Sequence, residues 1–526
     1  MKSCAALIPA IVVAAIAAVV PAGAETPKSG GTLNFATVGE PPTSDCHATG
    51  TFATVHPVAP HYSTLLQFTG PHDKQTIVGD LAESWDVSQD GLTYTFKLRR
   101  GVKFHDGSDF TAADIKATYE RIVNPVEGVL SYRKAVHQDI AEISTTDPFT
   151  VVFRLHQPSP SMLLHFASPF NCVYSAVKLK QNPRYPETEV MGTGAFRFAE
   201  HVKGSYWAGK KFDQYFRPGR PYLDGYKVYF VRSTAVSPGL QGGQFDAEFR
   251  GRTPGERDQL VAAMKDKMVV MEGPWVTNIL LTVNSEKKPF DDVRVRQALT
   301  LAIDRWGGSA SLGRISLIRD VSGVFRPGAS FSLGTAELET MPGFWRNIEK
   351  SRAEARRLLK EAGVSNLKVK LVNRPGDPFS PAGVYAVDQW RRIGVETEVV
   401  VLEIKLWYDA MASGNFDVVI RNISDFADDP NAQFNTLISK VKSTIAYSRH
   451  SDTRFDDLYD RQARIMDPVG RLEVVNQLER LVLETAYNFP LLWYQRIVVN
   501  HKKVKGWELT PSHLTGQSLV DVWLDE

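Results

Sequence analysis

Short apolar stretches bounded by turn residues alternate with amphipathic stretches along the whole chain, and their periods divide it into regions of different character. Gly31-Thr32-Leu33-Asn34-Phe35-Ala36 predicts a short buried strand that runs into a polar loop rich in Pro and His, ending near His61. From about Leu66 to Val190 the pattern becomes one of short strands and helices. Two strands flank Gln89-Asp90-Gly91, an Asp-Gly hairpin signal. Thr111 and, three positions later, Asp114 form a helix-starting box ahead of Ile115, Thr118, Tyr119 and Ile122. Thr150 to Leu155 is a further strand. Together these elements predict a compact α+β unit.

Met191 to Phe198 returns to a glycine turn entering a strand, and Tyr226 to Val231, another strand, predicts that the sheet begun at Gly31 resumes. The apolar run from Trp275 to Asn284 leads to Phe290-Asp291-Asp292, where Asp291 is placed to cap a helix with Val295, Ala298, Leu299, Ala302 and Ile303 on one stripe. Ser351 and Glu354 predict a second box, starting a helix that Gly363 stops. Strand Leu367 to Val372, helix Ala382 to Ile393, strand Val395 to Leu402, helix Ile404 to Met411 and strand Phe416 to Ile420 follow on short loops. That β-α-β-α-β order predicts a parallel, doubly wound sheet. Ligands of such sheets collect at the carboxyl ends of the strands, which directs attention to Asn373-Arg374 and to Arg421 through Pro430. A helix over Leu472 to Thr485, the apolar Phe489 to Val499 and a tail ending in Leu519 to Leu524 complete the chain.

Composition removes several classes of function. The 61 Lys+Arg and 59 Asp+Glu leave a formal charge of +2, so no overall field favours nucleic acid or an anionic membrane. Ahead of Gly31, Met1-Lys2-Ser3, an apolar run from Cys4 to Val20 and Ala22-Gly23-Ala24 make a removable secretory signal cut after Ala24. Two cysteines then remain, Cys46 and Cys172, which can pair once or stay free. No G-x-S-x-G, H-E-x-x-H, C-x-x-C or G-x-x-x-x-G-K-[ST] pattern occurs, so a secreted hydrolase is a disfavoured alternative. His47, His56, His61 and His72 cluster in sequence without the spacing of a metal site, and no metal or cofactor is expected. The acidic stretch Ser424-Asp425-Phe426-Ala427-Asp428-Asp429-Pro430 can hold an ammonium group. Arg374 and Arg421 can each hold a carboxylate in a bidentate manner.

Several segments together resemble the extracytoplasmic solute-binding proteins of the peptide/nickel (family 5) ABC importers. They are Leu81-Ala82-Glu83-Ser84-Trp85, Leu98 to Gly107, Phe110 to Ile115, Gly192-Thr193-Gly194, Pro289 to Leu299 with Ala302 to Arg305, Gln389 to Val395 and Gly414-Asn415-Phe416-Asp417. The resemblance implies an α/β, two-lobed periplasmic-binding-protein-like clamp of type II with an additional α+β domain inserted in the first lobe. The expected division is a discontinuous first lobe of residues 25–65, 191–273 and 490–526, an inserted domain of 66–190 and a second, doubly wound lobe of 274–489. In the family's peptide binders a loop Trp-x-x-Asp-Tyr-Pro-Asp-Pro supplies an aspartate for the peptide's ammonium group. Here Asp425 matches and is followed by Phe426 where the pattern has tyrosine, Ala427 stands for proline, an acidic residue is added before Pro430, and Asn422 stands for the tryptophan. The expectation is a monomeric periplasmic receptor that captures a peptide or peptide-like solute and delivers it to an inner-membrane permease; a metal chelate, saccharide or opine-like solute is the alternative cargo. Thr51 and Phe52 from the first lobe, Trp275 near the crossover, and Arg374, Asp425 and Phe426 from the second are the expected ligand contacts.

Overall fold

The computed structural model describes residues 25–69 and 76–526; the apolar amino terminus read as a signal, and His72, lie outside them. Strand Thr32–Thr37 pairs in parallel with Gly225–Phe230 and with Ala247–Glu248, and Tyr206–Lys211 and Phe196–Val202 extend the sheet in antiparallel fashion. The sheet begun near Gly31 thus resumes at Phe196, after the intervening unit. Its alternating positions Leu33, Phe35, Tyr226 and Val228 are fully buried in one apolar core with Phe196 and Trp207. Gly192 and Gly194 lie where this sheet meets the loop after its first strand. A Cβ on either would lie 2.3–2.4 Å from the His61 backbone, so both glycines are required by a close approach of two chain segments.

Between these segments lies a four-stranded antiparallel sheet in the order Ala82–Val87, Thr93–Leu98, Thr150–Leu155, Ile140–Asp147. Helix Ala112–Val123 packs on it, burying Ile115, Tyr119 and Ile122. The helix starts as its sequence box predicts, with the Asp114 carboxylate accepting from the Thr111 backbone N–H at 2.8 Å. A Cys46–Cys172 disulfide closes a separation of 126 residues and ties the unit to the loop that follows the first strand. Beside it the buried carboxylate of Asp45 accepts from the Arg121 guanidinium at 2.6 Å and from the Tyr174 hydroxyl at 2.9 Å.

The second lobe is built on a six-stranded sheet in the order Ile318–Asp320, Asn488–His501, Met268–Val283, Val418–Ser424, Lys368–Asn373, Glu396–Val401. Its last three strands are parallel and are connected through helices Phe379–Arg391 and Ile404–Ser413, as the sequence pattern predicts. The other pairings are antiparallel, so the sheet is mixed and not wholly parallel. The reason is topological. The chain enters this lobe along Met268–Val283 and leaves along Asn488–His501, and two strands running in opposite directions need no crossover helix between them.

Three boundaries also move. Asp292, not Asp291, caps helix Val293–Leu301, accepting from the Arg294 backbone N–H at 2.8 Å. Helix Ile348–Glu361 begins at an Asn347 cap, which leaves Ser351 inside it, buried and donating to the Leu301 carbonyl at 2.7 Å. Strand Val418–Ser424 runs four residues past Ile420 and carries Arg421 into the sheet.

The two longest strands form a ribbon common to both lobes. From Met268–His501 to Pro274–Gln495 its residues pack with Ala36, Val236, Leu240 and Leu260 of the first lobe. From Asn278–Trp493 to Thr282–Asn488 they belong to the second-lobe sheet, and the register shifts between these two ladders.

Candidate functional site

At the ribbon, the ends of separate elements come to one place. Thr51 caps helix Phe52–Val58, its hydroxyl oxygen accepting from the Ala53 N–H at 3.3 Å, so this side chain is engaged at the helix terminus. The first helical residue, Phe52, is half-buried, with the Arg250 guanidinium 4.4 Å from its ring centroid and the His513 ring edge-on at 5.7 Å. His513 accepts at Nδ1 from the Trp275 indole N–H at 3.1 Å, and Trp275 packs edge-on against Tyr494. Trp275 itself sits in the register shift of the ribbon, 4% exposed.

Arg374 reaches the same place from the second lobe. It follows strand Lys368–Asn373, and its guanidinium lies 3.7 Å from the Phe379 ring centroid and 5.3 Å from that of Trp407. Burial holds Arg250 below the ordinary arginine range against the opposing charge of Glu248, and the charge of Arg374, arriving from the other lobe, adds to the depression. Arg374 is likewise lowered by burial, with Tyr494 and Tyr408 opposing. Phe52, Arg250, His513, Trp275 and Tyr494 thus form one continuous group of contacts, and Arg374 lies near enough for its charge to act on Arg250 and Tyr494.

Asp425 and Phe426 form a second group beside it. The Asp425 backbone N–H donates to the Val276 carbonyl at 3.3 Å, which fixes the loop after strand Val418–Ser424 to the ribbon. Its own carboxylate accepts from the Phe426 N–H at 2.6 Å. Burial raises this carboxyl from 3.8 to about 6, with the charge of Arg133 from the inserted unit opposing the rise. Phe426 is buried with Val55, Phe170 and Leu514, so one apolar cluster draws on all three parts of the molecule. The Arg133 guanidinium lies 4.3 Å from the Phe170 centroid and 5.9 Å from that of Phe426. The two groups meet along Gly50-Thr51-Phe52, since a Cβ on Gly50 would lie 3.7 Å from the Arg133 guanidinium.

A cavity of about 430 Å³ opens next to the second group, between inserted unit and second lobe, with Arg133, His165, Asp425, Phe426, Asp429 and Tyr459 in its wall. On its far side the lobes touch: the Ser161 hydroxyl donates to the Asp429 carboxylate at 2.5 Å and accepts from Arg471 at 2.8 Å.

Of the sequence-derived candidates, Phe52, Trp275 and Arg374 come together in the first group and Asp425 and Phe426 in the second, with Thr51 between them. Arg421 goes elsewhere. It is buried inside the second lobe, donating to Thr282, Thr436 and Asn488, and does not face the cleft. The histidines disperse as well. His47, His56 and His61 bond the carbonyls of Cys172, His513 and Phe196 respectively, and burial keeps all three neutral with values pushed down to about 4, 3 and 3. Among the described residues no group of three or more His, Cys, Asp or Glu side chains could hold a metal ion.

Sequence reasoning missed Arg133, Arg250, Tyr494 and His513. Tyr132-Arg133-Lys134 reads as a surface loop, and Tyr494 lies within an apolar run. Only Gly251, between Arg250 and Arg252, carried a signal: its φ is +158° and a Cβ there would lie 3.3 Å from the Trp275 ring.

With this geometry in view, a family model for bacterial extracellular solute-binding proteins, family 5 (middle), matches residues 76–444. The glutathione-binding protein GsiB of Escherichia coli K12 is 25% identical over 464 residues, covering 84% of this chain and 85% of its own. Among solved structures, the periplasmic binding protein DppA of Helicobacter pylori with the peptide STSA superposes with a TM-score of 0.74 at 24% identity, covering 95% of this chain and 99% of its own. The binding protein AgaA of A. tumefaciens R10 with agropinic acid gives 0.76, also at 24% identity, over 94% and 99%.

Proposed function

The chain belongs to the bacterial extracellular solute-binding proteins, family 5, which serve ABC importers, and from that premise we propose that it captures a peptide-like solute in the cleft described above. The observation that supports this most is the meeting of Arg250 from one lobe and Arg374 from the other beside Trp275 in the shared ribbon. A solute held by both lobes stabilises their approach, whereas one held by a single lobe shifts no population. In this reading Arg374 takes a carboxylate, Asp425 an ammonium group, and Phe52, Trp275 and Phe426 supply the apolar walls. Thr51 contributes its hydroxyl hydrogen from the helix cap. That two relatives carry glutathione and a tetrapeptide in their descriptions agrees with a peptide-like cargo.

The lobe boundaries follow the ribbon, with residues 25–65, 191–273 and 490–526 as the first lobe, 66–190 inserted and 274–489 as the second. The mature protein starts after Ala24, acts as a monomer outside the inner membrane, and hands its solute to a permease there. Native mass spectrometry of protein purified from the periplasm tests the reading. A co-purified mass in the range of a short peptide is expected, released under mild denaturation. Turnover of an added substrate in place of retention would overturn it in favour of a hydrolase.

A further inference from the structure

Three guanidinium groups in the cleft differ from the other arginines of the protein. The Nε atoms of Arg133, Arg250 and Arg374 are buried and have no hydrogen-bond partner, and among the described residues none of the three side chains makes an ion pair or donates a hydrogen bond. An unmatched buried donor is costly, and here each one sits in a half-buried guanidinium group whose terminal nitrogens are not enclosed. Each is held only over aromatic faces: Phe170 and Phe426 for Arg133, Phe52 for Arg250, Phe379 and Trp407 for Arg374. Aromatic faces steady a guanidinium and leave its edge free to donate.

The surrounding charges do not balance them. Asp425 faces Arg133 without bonding it. Glu248, the carboxylate nearest Arg250, accepts from the backbone N–H groups of Arg250 and Gly251 and lies 3.6 Å from Arg252. Asp429 is taken by Ser161 and Arg471. Arg496, also next to Arg250, is satisfied by the carbonyls of Arg250, Thr510, Ser512 and Phe249 and adds positive charge. His56 and His513 are held neutral by burial. Asp377, whose charge acts at Tyr494 together with those of Arg374 and Arg250, accepts from the Leu317 N–H. Among the described residues, three guanidinium groups that make no ion pair therefore stand beside Asp425, whose carboxylate accepts from the Phe426 N–H alone.

We propose that the cleft selects solutes with at least two carboxylates, one taken by Arg374 and another by Arg250, so that the preferred cargo is an acidic peptide-like compound of net negative charge. The proposal rests on the receptor reading above and adds the charge class of the cargo. An ordinary dipeptide brings one carboxylate and one ammonium group and would leave Arg250 unmatched; an acidic side chain supplies the missing group. Arg133 sits where it biases the Asp425 end, so that a second acidic group near the solute's ammonium is tolerated and a cationic one is not.

Calorimetry with the unliganded full-length mature protein tests this with three probes of the same backbone, Glu-Glu, Gln-Gln and Lys-Lys. Glu-Glu is expected to bind at least tenfold more tightly than Gln-Gln, and Lys-Lys not measurably. In R250Q the Glu-Glu to Gln-Gln ratio should fall towards one, and in R250K it should be partly restored. Equal affinities for Glu-Glu and Gln-Gln in the wild type, or an unchanged ratio in R250Q, would overturn the charge class while leaving the receptor reading intact. A second readout does not depend on a peptide backbone. At matched ionic strength succinate and citrate should raise the melting temperature more than acetate, and the R250Q/R374Q double variant should lose that difference. Failure of every peptide probe together with equal shifts for acetate and citrate overturns the proposal, and retention of a co-purified solute in the same preparation would show that the receptor reading survives it.

Discussion

Arg305, buried in the interior of the second lobe, and Arg250, half-buried beside the ribbon with only its Nε fully enclosed, are treated by the protein in opposite ways. Arg305 is 1% exposed, and it donates from Nε to the Pro490 carbonyl at 2.7 Å and from its terminal nitrogens to Gly343, Thr300 and the Thr300 hydroxyl. Arg296, Arg421 and Arg496 are matched in the same manner. In these places an arginine works as a bracket, joining carbonyls of distant segments that would otherwise be buried without donors. At the cleft the same side chain is propped on a ring and left undonated. What separates the two groups is the use of the donors: the first set serves the fold, and the second is the set proposed above to receive a solute.

The largest expected effect lies on the structural side of this contrast. Arg121→Met removes the partner of a 1%-exposed carboxylate, Asp45, and should cost about 3–5 kcal/mol of stability, read as a lower denaturant midpoint. Arg250→Met removes a cation with no such partner, and ligand-free stability should stay level or rise, since the loss of about 1 kcal/mol of contact with Phe52 is offset by relief of an unmatched donor. Comparable losses in both variants would break the distinction.

Next in size is Asp425→Ala, which should weaken an amine-bearing ligand by about 1.5–3 kcal/mol in calorimetry, the range for hydrogen bonds to charged groups. Unchanged affinity would remove Asp425 from the site. The pH dependence is sharper still. The folded value of about 6 lies above the unfolded 3.8, so the proton on Asp425 favours the folded protein; that contribution is full below pH 3.8 and is lost as pH rises through 6. Binding an ammonium group needs the ionised form, so affinity should fall about tenfold for each pH unit below 6 and level off above it. Asp425→Asn should flatten this profile.

The smallest effect concerns a buried carboxyl that has no guanidinium beside it. Glu479 is fully buried and accepts from the Val324 N–H at 2.6 Å, and burial pushes it up to about 8. Being neutral at pH 7, it should tolerate Glu479→Gln within about 1 kcal/mol. The folded value again exceeds the unfolded one, so wild-type stability declines between pH 4.5 and 8 while the variant's does not, and thermal melts at pH 9 should favour the variant.

The parts of the fold that were legible in the sequence are those whose cause is local. The Thr111–Asp114 box begins its helix where the pattern places it because the cap is made by residues three apart. The parallel strands of the second lobe were legible because alternating strand and helix leave few other arrangements. The antiparallel half of that sheet was not, since Met268–Val283 and Asn488–His501 pair across more than two hundred residues and nothing in either strand names its partner. The site divides along the same line. Arg374 and Asp425 could be found because both follow strands of the parallel set. Arg250 and Arg133 could not, because each is notable only for what it lacks at its final position. Arg421, one residue type and a few positions away from the loop, was drawn into the sheet by a strand longer than its apolar run suggests.

The shared ribbon has a mechanical consequence. Two strands carry the chain between the lobes, and the ladder between them is interrupted over Trp275 to Thr277, where the Val276 backbone bonds instead to Pro511 and Asp425, which makes this the weakest stretch of the pair itself. Trp275 stands at this weak point and also touches, through His513, the ring that supports Arg250. Twisting the ribbon there turns the floor of the cleft along with the lobes. Under the proposed reading, a rotation that widens the gap between the lobes also shifts the rings beneath Arg250, so that opening and loss of grip would be a single motion.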